Sequence, residues 1–202
     1  MFTGIVSDVG EVRAVTPRSG DLHRVSIACS YPHDSIALGA SIACSGICLT
    51  VTETAQAAGR TLFSVDAAAE TLRITTAGDW KPGSTINLER SLKMGDELGG
   101  HLVSGHIDGV ATLEQREDLT DSARMTFRAP GALMHFIAPK GSVTLDGVSL
   151  TVNEAGRDTF SVLIIPHTLQ VTTFGALRKG ARVNLEVDQM ARYAARLAEA
   201  RG

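Results

Sequence analysis

Two nucleophile types occupy one place in a stretch that the chain contains twice. Residues 41–53 recur with substitutions as residues 142–154, and Cys48 of the first copy corresponds to Ser149 of the second. A free Cys in a strand is ordinarily a small buried apolar side chain, and a strand Ser is ordinarily bonded to backbone. Their position argues for more. Each follows a glycine (Gly46, Gly147) by two residues, and glycine inside a strand often marks the close approach of a ligand or a second backbone. Strand period puts Thr50 and Thr151 on the same faces as Cys48 and Ser149. The face carrying Gly46, Cys48 and Thr50, like that of Gly147, Ser149 and Thr151, is a poor core and a suitable ligand wall. The opposite face (Ile47, Leu49, Val51; Val148, Leu150, Val152) is a good core. A thiol or hydroxyl on such a wall is a candidate nucleophile.

A histidine is the natural proton carrier for such a nucleophile near neutral pH. His106 lies in Gly99-Gly100-His101-Leu102-Val103-Ser104-Gly105-His106, where three glycines are conformationally costly for idle scaffold. Its repeat counterpart is Ile5, so this position departs from the repeat toward chemistry, against the plainer reading of a solvated or hydrogen-bonded histidine; His101 is marked only by its place in the run. A second divergent pair follows. Phe63-Ser64-Val65 matches Phe160-Ser161-Val162, but Asp66-Ala67-Ala68-Ala69-Glu70 faces Leu163-Ile164-Ile165-Pro166-His167. Different side chains on one scaffold suggest two half-sites that bind differently, against the plainer reading of drift in a loop.

The elements that position these residues come from the repeat. Residues 63–89 align on 160–186 with 12 of 27 identities, including Asn87-Leu88-Glu89 on Asn184-Leu185-Glu186, so the duplication extends over nearly the whole chain. The offset falls from 101 to 97 because 54–62 is longer than 155–159, which places a hairpin loop there in each half. Val25, Ile27 and Cys29 alternate with polar or small residues, as do Val183, Leu185 and Val187. That period of two marks half-buried strands. Turn glycines at short intervals argue a closed or nearly closed antiparallel barrel in each half. Short helices fit residues 31–38 and 131–138. Residues 90–100 are polar and glycine-rich, as an interdomain crossing should be. In the tail, Met190, Tyr193, Ala194 and Leu197 follow helical spacing, an amphipathic stripe that must dock on the barrels or on another copy.

Composition narrows the class. Aromatics are 4% and basic residues are scattered, which argues against a nucleic-acid partner. No apolar run has the length of a membrane span, and the first residues lack a signal-peptide pattern. Three cysteines, an odd number with no His/Cys cluster at zinc spacing, point to the cytoplasm, with no disulfide framework and no metal. No dinucleotide or phosphate-loop motif is present.

The start Met1–Val6, the run Gly46–Val51, the run Gly99–His106 and the run Asp146–Val152 together resemble riboflavin synthase of the trimeric, lumazine-binding-repeat type, and the resemblance covers the whole chain. It implies a mainly β fold of two tandem homologous six-stranded antiparallel Greek-key barrels plus a C-terminal α-helix. The domains would be residues 1–100, 101–188 and 189–202, the last holding a homotrimer. It implies that two molecules of 6,7-dimethyl-8-ribityllumazine per active site exchange a four-carbon unit, giving riboflavin and 5-amino-6-(D-ribitylamino)uracil. No cofactor would take part, and lumazine synthase is a further partner the family suggests. By the same resemblance one lumazine would contact Gly4, Ile5, Val6, Ile47, Cys48, Leu49, Thr50, Val65, Asp66, Ala67, Ala68, Ala69, Glu70, Ser104, Gly105 and His106. The other would contact Lys140, Val148, Ser149, Leu150, Val162, Leu163, Ile164, Ile165, Pro166 and His167. Cys48, His106, Asp146, Ser149, Thr151 and Asp188 match positions implicated in catalysis. His167 departs from the family, which often has an acidic residue there. The nucleophile stays open among Cys48, Ser149 and water. The alternative is a non-catalytic lumazine- or flavin-binding protein of the same superfamily; retention of both repeats with Cys48, His106, Ser149 and Thr151 favours the enzyme.

Overall fold

The computed structural model describes residues 1–57 and 59–200. The first half folds into strands β1 (Asp8–Arg18), β2 (Leu22–Cys29), β3 (Ser41–Cys44), β4 (Ile47–Ala57), β5 (Arg60–Ala67) and β6 (Thr85–Arg90). They close into a barrel in the order β1-β2-β5-β4-β3-β6. The second half repeats the plan with β7 (Gly109–Leu119), β8 (Ser122–Arg128), β9 (Ser142–Leu145), β10 (Val148–Ala155), β11 (Thr159–Ile164) and β12 (Arg182–Val187), in the order β7-β8-β11-β10-β9-β12. All neighbours are antiparallel, and the placing of β2 beside β5 and β3 beside β6 is the Greek-key connection. Closure leaves no unpaired strand edge.

Alternation decides which side chains face inward. In β5, Thr61, Phe63, Val65 and Ala67 are buried while Leu62, Ser64 and Asp66 are only half-buried. The pair Ile27–Phe63 packs the first barrel where Phe127–Phe160 packs the second, with ring centroids 5.9 Å apart. Each fully buried side chain of this size contributes about 1.5–3 kcal/mol. The duplication extends to irregularities. Register slips between Val12 and Ala14 and between Val51 and Glu53 recur between Leu113 and Gln115 and between Val152 and Glu154. The hairpin expected after the repeated stretch joins β4 to β5 and β10 to β11; its first strand has 11 residues in one half and eight in the other.

Helices α1 (Ala69–Ile74) and α2 (Pro166–Val171) follow β5 and β11 and were not expected. At six residues each, they are too short to display an apolar stripe. Each runs into a 3-10 turn in which the Thr75 or Thr172 hydroxyl accepts from the N–H two residues on, Ala77 or Phe174. The helices expected at 31–38 and 131–138 are only 3-10 turns, His33–Ser35 and Gly131–Phe136, each entered from a proline. Helix α3 (Gln189–Glu199) closes the chain, with Asp188 capping it by accepting from the Met190 N–H. Its apolar stripe faces away from the barrels: Met190, Tyr193 and Leu197 are each more than 60% exposed. Among the described residues, no helix is long and apolar enough to cross a membrane.

The barrels meet across an approximate two-fold, and the repeated Asn-Leu-Glu explains how. Asn87 donates to the Asp146 carbonyl (2.9 Å) and accepts from the Thr173 N–H (2.9 Å). Asn184 reciprocates, donating to the Ser45 carbonyl (2.8 Å) and accepting from the Thr76 N–H (2.7 Å). Gly46 and Gly147 touch backbone to backbone: a Cβ on Gly46 would lie 2.7 Å from Gly147 N, and both have φ of +80°. Leu88 and Leu185, between the Asn and Glu of each copy, are fully buried in their own barrels.

Candidate functional site

Two irregular segments cross between the barrels, and they complete the walls that carry Cys48 and Ser149. The first is residues 1–7. The second is the stretch 101–108, which returns after the exposed crossing at 91–100. They pair with each other on the two-fold, Phe2 N to Val103 O at 2.8 Å and Val103 N to Phe2 O at 3.1 Å. Each is clamped by the Glu of the repeated Asn-Leu-Glu. Glu89 accepts from Thr3 N (2.7 Å), the Thr3 hydroxyl and Gly4 N (2.9 Å). Glu186 accepts from Ser104 N (2.7 Å) and Gly105 N (2.9 Å). Burial pushes both carboxyls up, and the N–H donors pull them back toward ionisation.

Each segment then reaches the other barrel. β4 and β5 pair only from Val51 onward, so the Cys48 N–H has no partner in β5 and donates instead to the Gly105 carbonyl at 2.8 Å. Likewise the Ser149 N–H donates to the Gly4 carbonyl at 2.8 Å. Ile107 packs into the first core and Val6 against the second. The crossing corrects one expected grouping. Gly4, Ile5 and Val6 lie with Val148, Ser149 and Leu150 in the second half-site, not with Cys48 in the first. Ser104, Gly105 and His106, although they precede the second barrel, lie with Ile47, Cys48 and Leu49. A boundary at 100/101 therefore separates each half-site from the segment that completes it.

The wall chemistry follows the expected alternation. Cys48 and Ser149 are half-buried, Thr50 and Thr151 are exposed, and Ile47, Leu49 and Val148 are buried, with Leu150 half-buried. Cys48 carries a free thiol against Phe2, Ala43 and Val103. In the flanking runs, Val65, Ala67, Val162 and Ile164 point into the barrel cores and offer a ligand only backbone. Ala68, Ala69, Glu70, Leu163, Ile165, Pro166 and His167 are exposed and can line the half-sites, as can Lys140. Asp66 is held by both its oxygens on Arg24, at 2.8 Å each, and that guanidinium keeps its carboxyl below the usual range. Glu70 is paired with Arg73 in the same bidentate way. In the second half His167 replaces the acid and Gln170 stands where Arg73 does, so acid and partner are exchanged together.

The two half-sites differ in their histidines. His106 is exposed beside Cys48's partner Gly105. His101, which repeat comparison did not single out, lies with Nδ1 2.7 Å from the Ser149 hydroxyl and Nε2 3.1 Å from the Thr144 hydroxyl. Desolvation lowers its pKa, and the charge of Asp188 acts weakly the other way. The neutral ring can accept from Ser149 on Nδ1 while its Nε2–H donates to Thr144. Gly100 makes room for this pair: a Cβ there would lie 2.0 Å from the Thr3 carbonyl and 3.0 Å from the Ser149 hydroxyl. Asp146 is placed differently from the wall residues. Its carboxylate is buried at the barrel junction, accepts from the Asn184 N–H (2.8 Å), and is pushed up by burial to about 7. Asp188 caps α3.

The lumazine binding domain family matches this chain twice, over residues 3–91 and 104–188. The riboflavin synthase of Brucella abortus (strain 2308) is 54% identical over 201 residues, covering 98% of each chain. That of Mycobacterium bovis is 40% identical over 207 residues, covering both chains completely. Among solved structures, LumP complexed with riboflavin superposes with a TM-score of 0.82 at 26% identity, over 93% of this chain and 99% of that one.

Proposed function

The chain belongs to the riboflavin synthase family, with a lumazine binding domain in each half, and from that membership we propose how its half-sites divide the reaction. Each half-site holds one 6,7-dimethyl-8-ribityllumazine against the wall of Cys48 or Ser149. A four-carbon unit passes from one molecule to the other, leaving riboflavin and 5-amino-6-(D-ribitylamino)uracil. The observation that carries this reading is the reciprocal crossing of residues 1–7 and 101–108. It builds two half-sites on one plan, one with Cys48 and His106 and the other with Ser149 and His101.

Identical substrates need unequal surroundings if one is to give and the other to accept. His101 is placed to take a proton from Ser149, or from a water held there, as it adds to an electron-poor ring carbon. His106 on the opposite half-site is free to move the proton lost from a methyl group. Holding two large rings face to face supplies much of the rest, since correct orientation contributes roughly 7–11 kcal/mol in favourable cases. Helix α3, with Met190, Tyr193 and Leu197 outward, joins copies into a homotrimer in which one copy's first half-site faces another's second. Three free thiols fit a reducing cytoplasm.

Mixing two impaired variants tests the arrangement. His106→Ala and His101→Ala chains are each expected to lose most riboflavin formation. Refolded together, they should regain activity above either parent, because some sites then combine two intact halves. Absence of any regain would place both halves of a working site within one copy and overturn the reading.

A further inference from the structure

The segment that presents His106 is fastened to the end of the chain as well as to its barrel. Asp108 accepts from the Val187 N–H at 2.9 Å and, with both oxygens, faces Arg192 of α3 at 2.6 and 2.8 Å. One turn earlier on the helix, the Gln189 side-chain amide donates to the Ser104 hydroxyl. Between those two anchors lie Gly105, whose carbonyl holds the Cys48 N–H, and His106. The Asp108 side chain is only 10% exposed. A two-pronged guanidinium–carboxylate contact in that setting fixes geometry as well as charge.

Among the described residues, the first half shows no such brace. Ser7 stands where Asp108 does, and β6 runs into the exposed crossing instead of a helix. Both segments are held by their Glu, by the Phe2–Val103 pairing and by the opposite barrel, but the segment serving Cys48 is also held by α3. On α3, Gln189 and Arg192 are half-buried against this segment while Met190, Tyr193 and Leu197 face outward.

We propose that Arg192 is a positioning residue of the Cys48 half-site, acting through Asp108 to hold Gly105 and His106 in place. This rests on the reading of His106 as a group that moves protons in the reaction. Arg192 needs no contact with substrate. It sets where the 104–108 backbone lies, and the helix whose outer stripe is open to another copy is the one that does so.

The test compares Arg192→Met, Arg192→Lys and Asp108→Asn in the full chain. Arg192→Met should elute from a sizing column as the parent does, with kcat about ten-fold lower and KM within about two-fold, a fraction of the ~10²-fold that a 1 Å misplacement costs. Arg192→Lys, which keeps a cation facing Asp108, should recover most of the rate. Asp108→Asn should match Arg192→Met, and the double variant should lose no more than either single one. Amide exchange across residues 104–108 should quicken in Arg192→Met, a readout that does not depend on turnover. Parent-like rate and exchange in Arg192→Met, a rate loss matched by dissociation of the assembly, or a Lys variant as slow as Met would each overturn the proposal. A parent chain that forms no riboflavin would instead remove the functional reading, and the exchange measurement would still decide the brace.

Discussion

Gly105→Ala separates a working contact from a merely strained turn. Gly105 has φ of +79°, and a Cβ there would lie 2.6 Å from Cys48 Cβ and 2.8 Å from Cys48 N. The left-handed backbone alone costs an L-residue roughly 1–2 kcal/mol. Ordinary contact begins at 3.4 Å, so segment and strand must part by about 0.6–0.8 Å, loosening the Cys48 N–H bond to Gly105 and carrying His106 away with it. Displacement on that scale costs about 10²-fold in rate. Gly20 supplies the control: its φ is +75° and nothing lies within 4 Å, so Gly20→Ala bears the backbone strain without the clash. Steady-state formation of riboflavin and thermal melting should show both variants destabilised by a similar first increment, with only Gly105→Ala losing about two orders of magnitude in kcat. If Gly105→Ala keeps a rate within about two-fold of Gly20→Ala, the close approach is not what positions the half-site. Glu186→Gln provides the second route should Gly105→Ala fold poorly, because the amide can accept only one of the two N–H groups now held.

His101→Gln should lower kcat and abolish the acidic limb of the pH–rate profile. Burial lowers the pKa of His101, so the neutral ring that accepts from Ser149 persists below the ordinary histidine range and is lost only as pH falls through that lowered value. A variant whose acidic limb is unchanged would remove His101 from the proton path. Asp146→Asn should flatten the pH dependence of stability. The folded carboxyl titrates at about 7 and the unfolded one near 3.8, so the native state holds the extra proton between them and stability falls as pH rises through that window. At ~1.4 kcal/mol per decade this amounts to at most roughly 4 kcal/mol, present in full above pH ~7. Asn keeps an acceptor for the Asn184 N–H, so melting at pH ~8 should rise in the variant. An equal or lower melting temperature there would show that Asp146 is ionised without cost.

Much of this was legible in the chain. The repeat fixed two barrels of one plan, and alternation separated the wall of Cys48 and Thr50 from the core of Ile47, Leu49 and Val51, as burial bears out. The crossing was not legible. A repeat shows that Gly4 corresponds to Gly105, but one dimension cannot say that each serves the other half's barrel. His101 escaped for a related reason: at an offset of 101 its counterpart would precede Met1, so comparison of copies had nothing to set against it. Asn87, Glu89, Asn184 and Glu186 carried a weaker signal, polar residues identical in both copies, but alternation with Ile86, Leu88, Val183 and Leu185 reads them as the outer face of each strand. A buried polar group needs partners, and those partners proved to be the junction and the two crossing segments. Helices α1 and α2 left no trace because one and a half turns impose no periodicity.

The central measurement is a mass balance. The purified chain is incubated with 6,7-dimethyl-8-ribityllumazine alone, and the quenched mixture is separated and quantified. The expected result is one riboflavin and one 5-amino-6-(D-ribitylamino)uracil for every two lumazines consumed, without any added redox partner. Lumazine bound and recovered unchanged would contradict it, as would riboflavin formed in any other proportion.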